Sequence, residues 1–489
     1  MRSLLPVLLA ALAASTTAQA ADVLQLQGTL EGKDHQRYLA LPFDVPAGTG
    51  RVAVTLHHDG AQDRTVIDLG LLDANGFRGW SGGSRSSINV SRYDASGGYL
   101  PGAIPVGKWQ VLLGIPNIRA KVKTPYKVEV TLWSEAEVDA GSDRNDPVLR
   151  DSAGWYRGDL HMHSTHSDGS CSSQQGRKVP CPLFLSLQAA VRQGLDFVAL
   201  TEHNTVSHLE EVARHQPWFD QLLLIPGMEV TTFQGHANVF GVNGPLPFRL
   251  GEQVPDWSSL LGQLKRSDAV FSINHPALPS GEDCMGCGWT PATPVDMAAV
   301  QAVEVVNGSQ ADGPRAGVGF WEKQLQQGRR MTAIGGSDSH NPGAANGPSP
   351  IGLPATLVHA PALSRGAILA ALKQGRVVVD VRNVAGSRLD LWLQSDAGQR
   401  AEMGQQLALP AGQWATLHAE LDYPRPVRIE LIVDGQRHPS SVETGANGVQ
   451  QASLRWRSDG KRHWLRVDAR DADGSLLLLG NPVYVNWPR

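Results

Sequence analysis

The chain has 489 residues, of which 41% are hydrophobic and 18% are charged, and its formal net charge at pH 7 is -4. This composition is typical of a globular protein with enough apolar residues for several cores, and it argues against an intrinsically disordered chain. The small net charge and the lack of a long basic run argue against nucleic acid as a main partner. At roughly 100 to 200 residues per domain, the length predicts about three domains.

Residues 1–20, MRSLLPVLLAALAASTTAQA, are typical of a cleaved secretory signal. They contain one basic residue and a short apolar stretch, and they end on Ala18-Gln19-Ala20. We therefore expect a mature protein that begins near Ala21 and is exported to a periplasmic or extracellular location. No other stretch approaches the roughly 18 apolar residues that a membrane span requires, so no span is predicted.

Residues 22–135 contain short alternating segments separated by turn residues, such as RVAVTLHH, TVIDLGLL, WQVLLGI and YKVEVTLW. This pattern predicts an N-terminal β-sandwich. Residues 136–150 are charged and rich in turn formers, which is typical of a linker. Residues 384–489 return to alternating segments, such as LDLWLQS and RIELIVDG. They predict a small C-terminal β domain, for which a packing or adhesion role without chemistry is favoured.

Between these regions, residues 151–383 alternate apolar segments with helical ones, which is the pattern of a parallel βα architecture. The predicted strands are DLHMHS, FVALTEHN, LLIPGMEVTT, VFSINHP, AVEVVNG, MTAIGGSDSH and PATLVHA. The predicted helices are PLFLSLQAAVRQG, WSSLLGQLKR, GFWEKQLQQGRR and SRGAILAALKQG. This many parallel strands predicts a barrel or near-barrel.

The cysteines are Cys171, Cys181, Cys284 and Cys287. In an exported protein an even number of cysteines predicts disulfides, and four cysteines allow three connectivities among which the sequence does not choose. The CMGC segment has an alternative interpretation as half of a zinc site or as a redox pair. That alternative is less favoured because the sequence has no second CxxC.

Six of the predicted strands finish on polar residues, most of them of metal-ligand type: His161, His163 and Asp168; Glu202 and His203; Glu229; His275; Glu304; and Asp338 with His340. The carboxyl ends of parallel strands meet at one face of a barrel, so we expect these side chains to converge. Imidazole and carboxylate ligands suit Zn, Mn or Fe, and these are more ligands than one tetrahedral ion can use. The sequence therefore predicts a multinuclear metal site.

The segments HMHSTHSDG, LTEHN, GMEV, GHANVFG, NHP and GGSDSH, in that order, resemble the motifs of the PHP (polymerase and histidinol phosphatase) superfamily of metal-dependent hydrolases. The resemblance covers about residues 155 to 380. The preceding region, with DANGFRGWSGG and GYLPG, is similar to exported CehA/McbA-like metallohydrolases, whose named member hydrolyses the carbamate carbaryl. The resemblance implies a multidomain α/β and β protein, in which a distorted (βα)7 barrel is flanked by the N-terminal β-sandwich and the small C-terminal β domain.

Carried over residue by residue, the resemblance implies two or three divalent ions, Zn, Mn or Fe. The ligands of the first ion would be His161, His163, Glu229 and Asp338. Glu229 would bridge to a second ion held by His236 and His275, and the ligands of a third ion would be Asp168, His203 and His340. His236 departs from relatives that have this ligand farther beyond the bridging glutamate.

Four further residues receive roles near these ligands. Asp159 is a candidate acceptor that orients His161 or His163, because metal-bound imidazoles commonly require such a partner. His208 is a candidate acid for the leaving group, with a metal-bound water as the alternative. Glu304 is expected to support a ligand or contact substrate, and His166 is expected to be an exposed loop histidine.

The predicted function is that of an exported, multinuclear-metal-dependent hydrolase, with phosphomonoesters or phosphodiesters as the favoured substrates and a metal-bridging hydroxide as the nucleophile. The alternative is a carbamate or carboxylic ester hydrolase of the carbaryl-hydrolase type. A third hypothesis is a binding module whose β domains hold glycan or polymer beside a silent barrel. The first two hypotheses imply a small-molecule ester as the partner.

Overall fold

The computed structural model describes residues 22–140, 147–265, 267–282, 284–343, 349–438, 441–445 and 448–487. The predicted signal and residues 141–146 of the predicted linker lie outside this part of the chain. The chain divides into two compact units, one of Met1–Arg92 with Gly98–Glu135 and one of Tyr93–Gly97 with Ala136–Arg489.

The first unit consists of antiparallel strands in two four-stranded sheets, ordered β1-β8-β3-β6 and β2-β7-β4-β5. These strands are β1 (Asp22–Glu31), β2 (Arg37–Val45), β3 (Thr49–His58), β4 (Val66–Asp73), β5 (Gly76–Gly82), β6 (Ser87–Ser91), β7 (Gly107–Asn117) and β8 (Lys123–Ser134), with a 3-10 turn at Gly32–Asp34. Val54, Val111 and Val130 are fully buried, and burial alternates along β3, β7 and β8. This alternation arises because successive side chains of a strand point to opposite faces of the sheet.

A short helix, α1 (Glu135–Ala140), falls on the predicted linker. The central elements that follow are β9 (Gly154–Asp159), β10 (Ser170–Ser172), β11 (Lys178–Pro180), α2 (Leu183–Arg192), β12 (Phe197–Leu200), α3 (Leu209–His215), β13 (Leu223–Thr232), β14 (Gly235–Phe240), α4 (Trp257–Leu264), β15 (Val270–Ile273), a 3-10 turn at Met297–Ala299, β16 (Ala302–Asn307), α5 (Val318–Gln326), β17 (Thr332–Gly336), β18 (Ala355–Ala360), α6 (Arg365–Gln374) and β19 (Val377–Asp380). Strands form within six of the seven segments for which the sequence predicts them, whereas β9 ends at Asp159, the first residue of DLHMHS.

The last part of the chain is β-rich. Its strands are β20 (Arg388–Ser395), β21 (Arg400–Glu402), β22 (Gln406–Leu407), β23 (Trp414–Asp422), β24 (Arg428–Val433), β25 (Gln436–His438), β26 (Ser441–Thr444), β27 (Gln450–Arg457), β28 (His463–Arg470), β29 (Leu476–Gly480) and β30 (Val483–Val485). One five-stranded sheet has the order β21-β20-β23-β27-β26, while β29 pairs with β19 and so continues the hydrogen bonding of the central strands.

The prediction of a distorted (βα)7 barrel is wrong. Strand accounts for 44% of the structure and helix for 12%, with six α-helices in the described part of the chain, and seven βα units would need many more. Only Phe233 and Gln234 join β13 to β14, a link too short for a helical crossover, so the two strands pair antiparallel. The hydrogen-bonded order β17-β16-β15-β14-β13-β12-β9-β18-β19 then runs on into β29-β28-β24-β25.

Parallel pairing nevertheless persists around the predicted ligands. Strand β12 is parallel to β9 and β13, and β16 is parallel to β15 and β17. Helix ends between these strands are fixed by local chemistry. Asp256 caps α4 by accepting a hydrogen bond from Ser259 N at 2.8 Å, and α6 ends at Gly375, whose φ of 81° suits glycine. Because these strands run in the same direction, their carboxyl ends lie at a common edge.

The structure joins Cys284 to Cys287, whose Cα atoms are 5.6 Å apart, and leaves Cys171 and Cys181 as free, buried thiols. Two disulfides were expected, and the structure contains one within the described residues. Burial and the neighbouring Cys171 raise the pKa of the Cys181 thiol to about 12. Within the described part of the chain, every helix is too short or too polar to cross a bilayer.

Candidate metal centre

Seven of the nine predicted ligands follow strands of the central sheet, whereas Glu229 lies inside β13 and His236 is the second residue of β14. Isolated parallel bridges link Met162 to Ser339 and His203 to Glu229, so the strand alignment continues past the regular ladders to the ligand positions. His275 and Asp338 have positive φ angles of 26° and 54°, which non-glycine residues rarely adopt. Strain of this kind persists only where the surrounding structure enforces it, and it is common at functional sites.

Glu229 lies at the centre of this arrangement and is fully buried. Its carboxylate oxygens lie 2.7 to 3.6 Å from ring nitrogens of five histidines: His161, His163, His203, His236 and His275. Asn274 Nδ2 also donates to Glu229 Oε1 at 2.9 Å. A carboxylate with this many imidazole neighbours occupies the position expected of a bridging metal ligand.

The β13–β14 hairpin brings His236 beside Glu229. In its register Glu229 opposes Asn238 and Thr231 opposes His236. Directly opposed residues share a face of an antiparallel ladder, and residues two apart on one strand share it too. Glu229, Thr231 and His236 therefore project together, and His236 Nδ1 lies 3.3 Å from Glu229 Oε1.

Asp338 forms a second carboxylate centre next to the first. Its Oδ1 lies 3.1 Å from His163 Nε2 and 3.4 Å from His161 Nε2, and Asn307 Nδ2 donates to its Oδ2 at 3.2 Å. A glycine makes this approach possible, because a Cβ at Gly336 would collide with His161 Cβ and Glu304 Oε1. The GGSDSH segment thus supplies both a predicted ligand and the space that another predicted ligand, His161, needs.

Asp168 and His340 form a third, more open centre. Asp168 Oδ1 lies 3.3 Å from His340 Nε2 and 3.7 Å from His203 Nε2, and the Asp168 side chain is 58% exposed. The His163 ring stacks against those of His203 and His340, with 4.2 Å between ring centroids in each pair. His163 therefore connects the open centre to the buried ones. The nine predicted ligands together are called the histidine–carboxylate cluster below.

Four histidines of the cluster have one ring nitrogen held by an oxygen atom outside the ligand set or on the backbone. The Nδ1 atoms of His161, His203, His275 and His340 lie 2.9, 2.7, 3.3 and 2.9 Å from Glu304 Oε1, Thr231 Oγ1, Cys287 O and Asp338 O. In each ring this leaves Nε2 facing a cluster carboxylate. Metal-bound imidazoles usually have such an acceptor, which fixes the tautomer and the ring orientation.

The donors fit divalent metal ions. Nε2 of His161 and Nε2 of His236 are enclosed and make no hydrogen bond, a costly state for a buried polar atom unless a ligand satisfies it. Within the described residues, four sets have ligand atoms within 4.8 Å of one another: His163, Asp168, His203 and His340; His161, His163 and Glu229; His161, His275 and Asp338; and His236, His275 and Cys287. Mixed imidazole and carboxylate donors suit Zn, Mn or Fe.

The charges of the cluster are strongly coupled. Burial raises the pKa of the Glu229 carboxyl, but the charge of His161 and the hydrogen bonds from the surrounding histidines outweigh it and hold the pKa well below its usual range. The pKa of Asp338 is also well below its usual range, because His161 and His163 outweigh its burial. Both carboxylates are therefore charged at neutral pH, as ligands of a cation must be.

The two further predicted site residues differ in their surroundings. Asp159 accepts backbone hydrogen bonds from His161, Ser337 and Gly352 at 3.1, 3.0 and 2.7 Å. It thus fixes the backbone of two strand ends, whereas the acceptor for the His161 ring is Glu304. His208 is fully buried, and its ring centroid is 6.1 Å from that of His166.

Other polar residues of the motifs form a separate network. Glu202 accepts hydrogen bonds from Ser164 N at 3.1 Å and from the hydroxyls of Ser164 and Ser167 at 2.5 Å. His166 is half-buried rather than exposed, with Nδ1 2.8 Å from Ser207 Oγ. Arg157 donates to Asp380 at 2.7 Å. These contacts hold the loops behind the ligands.

Sequence reasoning missed three contributors. Asn274 is part of the NHP segment, but nothing in that segment distinguishes a donor to Glu229 from a turn residue. Thr231 lies two residues beyond Glu229, and this spacing on a strand was the available signal for a shared face. Cys287 was assigned to a disulfide, and its CMGC segment was the only hint of a metal role.

No protein-family model, curated protein or solved structure matches the chain.

Proposed function

We propose that this chain is a metal-dependent hydrolase of ester bonds, with phosphomonoesters or phosphodiesters as its substrates. The observation that carries the proposal is the convergence of five histidines on the buried carboxylate of Glu229, together with the enclosed Nε2 atoms of His161 and His236, which make no hydrogen bond. The motif resemblance to the PHP superfamily supports the same chemistry. Two or three divalent ions in such a cluster would supply a nucleophile from water at neutral pH and neutralise phosphate charge.

The chain's own residues would divide the work between the buried and open centres. Glu229 and Asp338 would hold the buried ions, with His161 oriented by Glu304. Asp168, His203 and His340 are partly exposed and would hold an ion where a substrate can reach it. The positive-φ backbone at His275 and Asp338 fixes the direction of these two ligands before any ion binds.

The direct test is a hydrolysis assay with metal-loaded protein. The panel contains a phosphomonoester, a phosphodiester, an aryl carboxylic ester and an aryl carbamate. We expect turnover of at least one phosphoester, its loss on chelation and its recovery with Zn or Mn. The control is His166→Gln, because His166 lies in the same motif but contacts Ser207 and Glu211 rather than the cluster. Turnover of the neutral esters alone would replace the phosphoesterase proposal with an ester or carbamate hydrolase.

Export is a further part of the proposal and rests on residues 1–20. We expect protein recovered from a periplasmic or extracellular fraction to begin near Ala21. Amino-terminal sequencing of the secreted product measures this directly. A product that retains Met1 and stays in the cytosol would contradict export without affecting the hydrolase proposal.

A further inference from the structure

Cys287 lies beside two predicted ligands of the second metal ion. Its Sγ and one ring nitrogen of each of His236 and His275 lie within 4.8 Å of one another, and all three residues are buried. The backbone oxygen of Cys287 also lies 3.3 Å from His275 Nδ1. Nε2 of His236 is enclosed and has no hydrogen-bond partner. A cation near these three side chains would find two imidazoles and one sulfur.

The loop that carries Cys287 is fixed against the hairpin that carries His236. Gly286 has a φ of 80°, and a Cβ there would collide with the carbonyl oxygen of Thr232, the last residue of β13. Only glycine adopts this backbone conformation at such a close approach without strain. The position of Cys287 next to His236 is thus built into the fold.

The bond to Cys284 determines what the Cys287 sulfur can do. A thiolate is a strong ligand for zinc, whereas a sulfur in a disulfide carries no negative charge to donate. The two cysteines differ in access, since Cys284 is half-buried and follows an exposed segment, while Cys287 is 1% exposed. An external thiol therefore reaches Cys284 more readily than Cys287.

We propose that Cys287 is a redox-controlled ligand of the second metal ion, an inference that rests on the proposed metal-dependent function. In the oxidised chain the second ion has His236, His275 and Glu229. In the reduced chain the Cys287 thiolate joins them and makes the site selective for zinc. Soft thiolate ligands favour zinc over manganese, so reduction would change which metal the enzyme holds.

The reaction that opens the bond is thiol–disulfide exchange with a dithiol reductant. One thiolate of the reductant forms a bond to Cys284 Sγ, the Cys284–Cys287 bond breaks, and its electron pair stays on Cys287 as a thiolate. The second thiol of the reductant then displaces Cys284 and forms the reductant's own disulfide. The reductant loses two electrons and two protons. Cys284 takes one proton, and the other goes to solvent when Cys287 binds zinc.

The test is zinc X-ray absorption spectroscopy on the full-length protein with and without a phosphine reductant, which breaks the bond without adding a thiol. Reduced wild type should gain a sulfur neighbour of zinc at about 2.3 Å, beyond the nitrogen and oxygen shell at about 2.0 to 2.2 Å. With cobalt in place of zinc, the same sample should gain a thiolate-to-cobalt absorption band. The zinc affinity of the reduced wild type should rise by at least about tenfold. This lower bound is used because loss of even an outer-shell partner of a metal ligand lowers metal affinity by about 10- to 100-fold.

Three cysteine variants separate this proposal from a general effect of reduction. Cys284→Ser frees Cys287 permanently and should give the sulfur signal without reductant. Cys287→Ser should never give it, and Cys171→Ser, which removes a buried thiol elsewhere, should behave like wild type. A nitrogen and oxygen shell alone in reduced wild type and in Cys284→Ser would overturn the inference while leaving the hydrolase proposal intact. Protein that binds neither zinc, manganese nor iron in either redox state would overturn both.

Discussion

The second compact unit contains two clusters of charged side chains, which differ in the residues that face their carboxylates. In the histidine–carboxylate cluster, Glu229 and Asp338 face histidines. In the second cluster, called the arginine cluster here, the carboxylates face arginines; its members are Glu322, Glu430, Arg437, Arg466, Asp468 and Arg470. Arg466 donates to Asp468 and, at 2.5 Å, to Glu322, while Arg470 and Arg437 donate to Glu430 at 2.9 and 2.8 Å.

The partner decides what a buried carboxylate can do. Arginine keeps its proton at every accessible pH and has no lone pair to offer, so it neutralises a carboxylate permanently. Histidine can give up its proton and present a nitrogen lone pair beside the same carboxylate. Among the described residues, the ion-pair partners of Glu229, Asp338 and Asp168 are all histidines. The first cluster is therefore suited to metal ions and the second to holding the fold together.

Of the substitutions that test this comparison, His163→Ala should have the largest effect on activity. His163 contacts the carboxylates of Glu229 and Asp338 and stacks against both histidines of the open centre. We expect activity to fall by more than about 100-fold on phosphoesters and neutral esters alike, because loss of an outer-shell partner alone costs 10- to 100-fold. Steady-state kinetics on both substrates measures this. The matched control, His166→Ala, should keep nearly full activity. Equal losses in the two variants would show that substitutions in this motif lower activity by disturbing the fold.

Arg466→Ala should have the opposite profile. The Arg466 side chain is 3% exposed, and its removal leaves Asp468 buried without its nearest partner. Breaking a buried ion pair in this way costs about 3 to 5 kcal/mol of the free energy of unfolding. Denaturant unfolding should show this loss, whereas metal content per folded molecule should stay at the wild-type value. Arg437→Ala, at a side chain that is 63% exposed, should change stability little.

Glu304→Gln tests whether the partner of a ligand matters as much as the ligand. Glu304 Oε1 holds His161 Nδ1 at 2.9 Å, and its Oε2 accepts from His275 N at 2.9 Å. We expect metal affinity to fall by about 10- to 100-fold, with activity restored by excess metal. Metal titration followed by activity separates this outcome from loss of a ligand, which excess metal would not repair.

His203→Ala should show the smallest and most selective effect. His203 belongs to the open centre with Asp168 and His340, where a third ion would neutralise phosphate charge. We therefore expect kcat/KM to fall about tenfold more for a phosphoester than for a neutral ester. The comparison needs a pair of substrates that wild type accepts. Equal proportional losses on both would argue against a phosphate-specific third ion.

The local elements were more predictable from sequence than their assembly. Periodicity indicated β13 and β17 because apolar runs bounded by turn residues are a local signal. It did not reveal that Phe233 and Gln234 form a two-residue link that reverses the chain, so the barrel prediction failed. The pairing of β19 with β29 joins residues about a hundred positions apart, and no local pattern encodes it.

The candidate ligands could be found from the sequence for a different reason. Histidine and carboxylate at strand ends are costly in a core, so His161, His163 and Glu229 stood out against apolar surroundings. Supporting residues gave no such contrast. Asp159 ends β9 and Glu304 lies within β16, and only their positions in the structure show that one holds backbone amides and the other holds the His161 ring.

The most direct test of the central claim is the metal content of wild type and Glu229→Gln, measured by elemental analysis after loading and dialysis. Glutamine keeps the size of the side chain but removes the charge that five histidines face. Wild type should retain two or three divalent ions per chain. Glu229→Gln should retain at least one ion fewer, have almost no hydrolytic activity and show an unchanged circular dichroism spectrum. A wild type that retains no metal, or a variant with unchanged metal content and turnover, would contradict the assignment of this cluster as a metal centre.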